Sequence, residues 1–149
     1  MHLHKILNQP IPCFTSLPAD TALDQAVSAM AHTGKTAVMV VDDGQVKGIV
    51  TRTDILGLLE KEASSPLGKK TVAQLMSRDL VLADPDASLE DALDRMAEFR
   101  IEHLPVIQDG RLLTVLHESH LLRQRIEVLR NDIGVLQEYI DHLHNASQD

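Results

Sequence analysis

Aromatic side chains are nearly missing from this 149-residue chain: tryptophan is absent, and Phe14, Phe99 and Tyr139 are the whole set. The core is therefore aliphatic, and a platform for stacking nucleic-acid bases is disfavoured. Excess positive charge is missing too. A net charge of −8 opposes binding to a polyanion, because duplex binding depends on neutralising phosphates. A small anionic ligand in a local basic pocket remains open. Cysteine occurs once, at Cys13, which excludes an intrachain disulfide and a Cys-rich zinc site and fits a reducing compartment. No apolar run is long enough to cross a bilayer. The opening MHLHKILNQP lacks the apolar region of a signal peptide. These absences lead us to expect a cytoplasmic protein that binds neither membrane nor nucleic acid. A P-loop, a nucleophile elbow and an HExxH pair are also missing, so no enzymatic activity is expected.

What the chain does have is an internal repeat. Residues 19–56 align without a gap on residues 85–122, a constant 66 positions on. Asp20, Leu23, Ala26, Met30, Val40, Asp43 and Gly44 recur as Asp86, Leu89, Ala92, Met96, Val106, Asp109 and Gly110. One supersecondary unit is used twice, and each copy alone would make a thin core, so the halves should pack together.

Each copy opens on a helix signal. Thr21–Asp24 and Ser88–Asp91 read as capping boxes with Asp in the Glu role. Apolar residues at helical spacing follow, Leu23, Ala26, Val27 and Met30, then Leu89, Ala92, Leu93 and Met96. Next come β-rich runs about an Asp-Gly turn, 38–41 and 46–50 in the first copy, 104–107 and 112–116 in the second. A second helix starts near Thr53 and near Ser119. Residues 14–17 and 80–83 read as extended segments leading into the copies, and Thr71–Met76 as a short helix.

Gly48-Ile-Val-Thr-Arg-Thr-Asp54, Met76-Ser-Arg-Asp-Leu-Val81 and His103-Leu-Pro-Val-Ile-Gln-Asp-Gly110 carry a resemblance to tandem cystathionine β-synthase (CBS) domains, the Bateman module. The similarity runs from about residue 8 to 124. It implies an α/β (α+β) fold of two pseudo-symmetric repeats, each strand-helix-strand-strand-helix, with a long C-terminal helix. The expected parts are a first repeat at 8–62, a linker at 63–70, a second repeat at 71–124 and a C-terminal helix at 125–149. The resemblance also implies a regulatory adenosyl ligand (AMP, ADP, ATP or S-adenosylmethionine) in a cleft between repeats, no catalytic cofactor, and a homodimer.

The Gly48 motif has a physical reading as a ribose clamp. Gly48 lets a ligand or neighbouring backbone come close. Ile49 and Val50 supply an apolar wall, Thr51 a hydroxyl, and Asp54 an acceptor-only carboxylate suited to a diol. Thr51-x-x-Asp54 is also a helix-capping pattern. The resemblance adds Met76, Ser77, Leu80 and Val81 from the segment before the other repeat, with Val81 offering backbone groups to an adenine edge. Candidate phosphate cations are Lys35, Arg52, Arg78, Arg100 and His103. In the second copy Thr114, His117 and His120 stand where Gly48, Thr51 and Asp54 stand in the first. This reads as a lost ribose site. His117 and His120, with His103, have residue types that suit a metal, but the sequence offers no clear third ligand.

The C-terminal segment carries a heptad pattern. Ile126, Ile133 and Ile140 fall at a, and Leu122, Leu129, Leu136 and Leu143 at d, which favours a parallel two-stranded coiled coil, with itself or with another protein. Arg125 at g would then face Arg130 at e of the partner helix, a repulsive pairing. Two readings follow: a regulatory adenosyl-binding module with one main site per chain, or a ligand-free dimerisation scaffold.

Overall fold

The computed structural model describes residues 1–10 and 14–148, so Cys13 lies outside the described residues. The elements are α1 (Leu3–Leu7), β1 (Ser16–Leu17), α2 (Leu23–Thr33), β2 (Ala37–Asp42), β3 (Gln45–Thr51), α3 (Arg52–Lys61), α4 (Val72–Leu75), α5 (Leu89–Phe99), β4 (His103–Gln108), β5 (Arg111–His117) and α6 (Glu118–Ala146). A single 3-10 turn, Leu67–Lys69, precedes α4.

Two antiparallel hairpins, β2–β3 and β4–β5, set the frame. Both turn on an Asp-Gly pair with positive φ, 51° and 76° at Asp43 and Gly44, 52° and 77° at Asp109 and Gly110. Left-handed conformations at both central residues make the tight turn whose twist matches the strands. Each hairpin carries a register shift at the same place, between Val40 and Val41 and between Val106 and Ile107. The leading segments run parallel to the hairpins: β1 places Leu17 beside Val40, and Ala83 bridges Val106. The 66-residue repeat is therefore a repeat of backbone geometry as well as of residue type.

The helix signals are met in position but not as capping boxes: the Ser88 cap lacks the return bond from the Asp91 side chain, and the α2 cap is shifted by one residue. Ser88 accepts from the Asp91 amide at 3.0 Å, and the cap of α2 is Ala22, which has no side-chain cap bond. The repeat register explains this, since Ala22 rather than Thr21 corresponds to Ser88. Asp24 instead accepts from its neighbour's amide, Gln25 N, at 2.8 Å.

Each repeat has its own aliphatic core, and each core is completed by the helix that precedes the other repeat. In the first, Leu23, Ala26, Met30, Val38, Val40, Val50 and Ile55 close around Val72 of α4. In the second, Leu89, Ala92, Met96, Leu104, Leu116 and Leu121 close around Leu3 and Ile6 of α1. Backbone bonds fix the exchange: Val72 N donates to Thr21 O at 2.8 Å, and Leu3 N to Ala87 O at 2.9 Å. Residues 72–76 thus precede the second repeat in sequence and belong to the first core in space.

The last helix of the second repeat and the C-terminal helix are one 29-residue element, α6. Its first turns are anchored. Leu121 is buried, Gln124 is buried and donates to Gln9 at 3.3 Å, and Arg125 pairs with Glu90 of α5. From Leu129 onward every described residue is exposed, including the heptad residues Ile133, Leu136, Ile140 and Leu143.

Candidate functional site

Thr51 ends β3 and caps α3. Its hydroxyl accepts from Asp54 N at 3.2 Å while Asp54 Oδ2 accepts from Thr51 N at 2.9 Å, a reciprocal capping box. The helix-cap reading of this motif is therefore realised. It uses Oδ2 of the carboxylate; among the described residues Oδ1 takes no protein hydrogen bond.

Both residues line a cavity of about 360 Å³ between the repeats. The same cavity is lined by Ile49, Ser77, Leu80 and Val81, so the chain segment leading to the second repeat faces the first repeat's motif. Arg52, Arg100 and His103 border it as well, as do residues not expected from the sequence, among them Thr36, Asp79 and Glu102. The missed acids matter. With Asp54 they put three carboxylates beside two guanidiniums, so the cleft is mixed in charge rather than basic.

Five expected residues lie elsewhere. Val50 is fully buried in the first core. Successive strand residues point to opposite faces, so Ile49 and Val50 cannot both wall one cleft. Met76 packs against that same core. Gly48 approaches backbone: a Cβ there would lie 2.7 Å from the Ser77 carbonyl and 2.7 Å from Met76 Sδ. Its role is to admit the Met76-Ser77 segment, which pairs with Ile49 through bonds of 3.1 and 2.9 Å and so positions Ser77 at the cleft edge. Lys35 lines a second cavity instead, and Arg78 is not among the residues bordering either.

Thr36 and His103 stand between the two cavities and border both. They are joined across the repeats by a 2.6 Å hydrogen bond between Thr36 Oγ1 and His103 Nε2. Burial, reinforced by the neighbouring His117, pushes the His103 pKa down from 6.5 to about 4. The ring is neutral at pH 7 and holds no phosphate by charge. The second cavity, about 290 Å³, is also bordered by His117 and His120. Among the described residues no three His, Cys, Asp or Glu side chains are grouped closely enough to hold a metal ion. No helix of the described residues is long and apolar enough to cross a membrane.

A sequence profile described as "CBS domain" matches residues 6–61 and again 72–127. The chain belongs to the CBS-domain family. Its CBS pair is 34% identical over 94 residues to the CBS domain-containing protein YhcV of Bacillus subtilis, covering 63% of this chain and 66% of that protein. It is 30% identical over 113 residues to the inosine-5'-monophosphate dehydrogenase of Methanocaldococcus jannaschii, covering 74% of this chain but 21% of the enzyme. The chain thus spans just under two thirds of the first relative and about a fifth of the second. Two solved CBS pairs superpose with a TM-score of 0.71. One is Arabidopsis thaliana CBSX2 in complex with AMP, 26% identical, with 86% of this chain and 98% of that one covered. The other is the pair of MJ0100 with 5'-methylthioadenosine and S-adenosyl-L-methionine, 22% identical, with 83% and 94% covered.

Proposed function

We propose that this CBS pair is a regulatory module whose first cleft binds an adenosyl ligand and whose second repeat relays occupancy to α6. The observation that carries the reading is the convergence of Thr51 and Asp54 with Leu80, Val81 and Arg100 on one cleft, drawn from both repeats. Asp54 Oδ1 accepts from the ribose hydroxyls, Ile49 and Leu80 flank the base, and Val81 presents backbone groups to its edge. Charge-assisted bonds of this kind contribute about 1.5–3 kcal/mol each, against the roughly 8 kcal/mol behind micromolar binding. Arg52 and Arg100 hold phosphate. Beside three carboxylates they suit a short phosphate better than a triphosphate. The AMP bound by CBSX2 supports this class. S-adenosylmethionine, bound by the MJ0100 pair, is the competing ligand. Switching requires that the ligand bind two settings of the repeats unequally. The module has no catalytic role.

Calorimetry against AMP, ADP, ATP and S-adenosylmethionine tests this reading, with Asp54→Ala as control. AMP should bind the intact protein and lose at least tenfold in affinity in the variant. Equal binding by both, or no binding by the intact chain, would sink it.

A second reading, a ligand-free dimerisation scaffold, is favoured by the exposed Ile and Leu heptads of α6. In either reading we take the protein as a homodimer with α6 as a coiled-coil arm, available also to a foreign helix. Sedimentation of residues 1–124 against the full chain checks the arm: an unchanged oligomer removes self-association through it.

A further inference from the structure

Six apolar side chains form the seam of α6, Ile126, Leu129, Ile133, Leu136, Ile140 and Leu143, and all are exposed on the chain's own surface. A second copy of the helix could cover them in either direction, and the flanking residues tell the two apart. The e positions hold Arg123, Arg130, Gln137 and His144; the g positions hold Arg125, Asp132, Tyr139 and Ala146. In a parallel pair each g side chain meets the following e side chain of its partner. Arg125 then faces the partner's Arg130, and Asp132 faces the partner's Gln137. That arrangement has a repulsion on both sides of the seam and no ion pair to offset it. Glu90 engages Arg125, but Arg130 has no ion pair among the described residues.

We propose that α6 pairs with α6 of a second copy in the antiparallel direction. Ile133 lies opposite the partner's Leu136, Leu129 opposite the partner's Ile140, and Ile126 opposite the partner's Leu143. The inference rests on the homodimer reading above and adds its direction and register. All the seam residues are then covered, and every layer sets one Ile against one Leu. In antiparallel pairs e faces e and g faces g, so Arg130 meets the partner's Gln137. That amide donates its N–H to Asp141 of its own helix at 2.9 Å, which leaves its oxygen to accept from the guanidinium. Asp132 meets the partner's Tyr139, whose hydroxyl donates to the carboxylate while its ring covers the seam. Arg125 meets the small Ala146 of the partner and keeps Glu90. Shifting the pairing one heptad toward the start of α6 would set Arg130 against the partner's Arg130 and Asp132 against the partner's Asp132. Shifting it the other way would uncover Ile126 and Leu129. The flanks therefore select one register as well as one direction.

The test uses the full chain carrying Cys13→Ser with Ile126→Cys and Leu143→Cys. Positions 126 and 143 of one helix lie about 25 Å apart, so no bridge between them forms within a chain. After mild oxidation, peptide mapping of the covalent dimers should find position 126 bridged to position 143 in large excess over 126–126 and 143–143 bridges. Predominant 126–126 and 143–143 bridges would overturn the antiparallel direction and leave the homodimer standing. The absence of any bridge would overturn the pairing of the arms. Arg130→Glu, without the added cysteines, gives a second readout. It turns the parallel Arg125 pairing into an attraction but meets only Gln137 in the antiparallel one. The dimer dissociation constant from sedimentation equilibrium should therefore change by less than about threefold. Tightening by about tenfold or more would overturn the proposal. A full chain that sediments as a monomer removes this proposal and the homodimer reading together.

Discussion

Arg100 occupies, one repeat later, the left-handed helix-terminating position that Gly34 holds in the first copy, with φ of 53° against 67°. A non-glycine residue there costs on the order of 1 kcal/mol. Gly34 meets the backbone requirement of its helix end without strain, whereas Arg100 meets it at a cost and borders the first cleft. Arg100→Gly should therefore stabilise the fold by roughly 0.5–1 kcal/mol and lower AMP affinity together. Urea unfolding and calorimetry on one variant read both. A variant that gains stability and keeps full affinity would separate the side chain from the ligand.

Asp54 combines a cap with a proposed ribose contact, and the two are separable. Asp54→Asn keeps a side-chain oxygen for Thr51 N and removes the charge, so it should stay within about 0.5 kcal/mol of the parent while AMP binding falls at least tenfold. Asp54→Ala should lose about 1 kcal/mol of stability as well. Thermal unfolding beside calorimetry distinguishes them.

Gly48→Ala should destabilise by roughly 1–3 kcal/mol, because the new methyl meets the Ser77 carbonyl backbone rather than a movable side-chain end. It should also perturb the cleft, since Ser77 sits at its edge through the Ile49 bridge. Chemical shifts of the Ser77 and Leu80 amides report the displacement.

His103 makes stability depend on pH in one direction. Its folded pKa is depressed, first by burial and then by His117, with Arg52 acting the same way and Glu102 and Asp54 opposing. Between about 6.5 and about 4 the unfolded chain binds the proton that the folded chain refuses, so this contribution is fully present above pH 6.5 and is lost as pH falls through that window. His103→Gln should lose less stability than the parent between pH 7 and pH 5. Parallel urea midpoints at the two pH values give the comparison.

Arg125 is held by Glu90 on the protein's own α5. The repulsion read from the heptads between Arg125 and Arg130 of a parallel partner helix is thereby offset. Glu90→Ala frees Arg125 and should weaken a parallel dimer, most at low salt, although Glu90 lies outside α6. Sedimentation equilibrium at two ionic strengths measures it; no change argues for antiparallel helices.

Much of this was legible in the sequence, for identifiable reasons. The gapless repeat carried the hairpins, their Asp-Gly turns and the extended leading segments, because those depend on local chemistry copied twice. The Thr51–Asp54 pair and the segment at Ser77–Val81 were legible through motif and resemblance. What was hidden depends on packing at a distance. The pleat turns Val50 inward while leaving Ile49 at the cleft. The Thr36–His103 bond joins positions that no spacing rule connects. Asp79 and Glu102 carry no motif that marks them, and only the folded chain brings them to the cleft. A signal for Thr36 and His103 did exist: they flank corresponding strand starts, where a repeat interface would bring them near each other.

The exchanged helices set an order of assembly. The first repeat needs only the chain up to residue 76 to fill its core, since Val72 follows directly on α3. The second must recover Leu3 and Ile6, which precede the whole first repeat in sequence, and seat them against Leu116 and Leu121. Closing so long a loop is slow. On a ribosome the N-terminal helix would wait, its apolar face uncovered, until the last strand and the start of α6 had emerged.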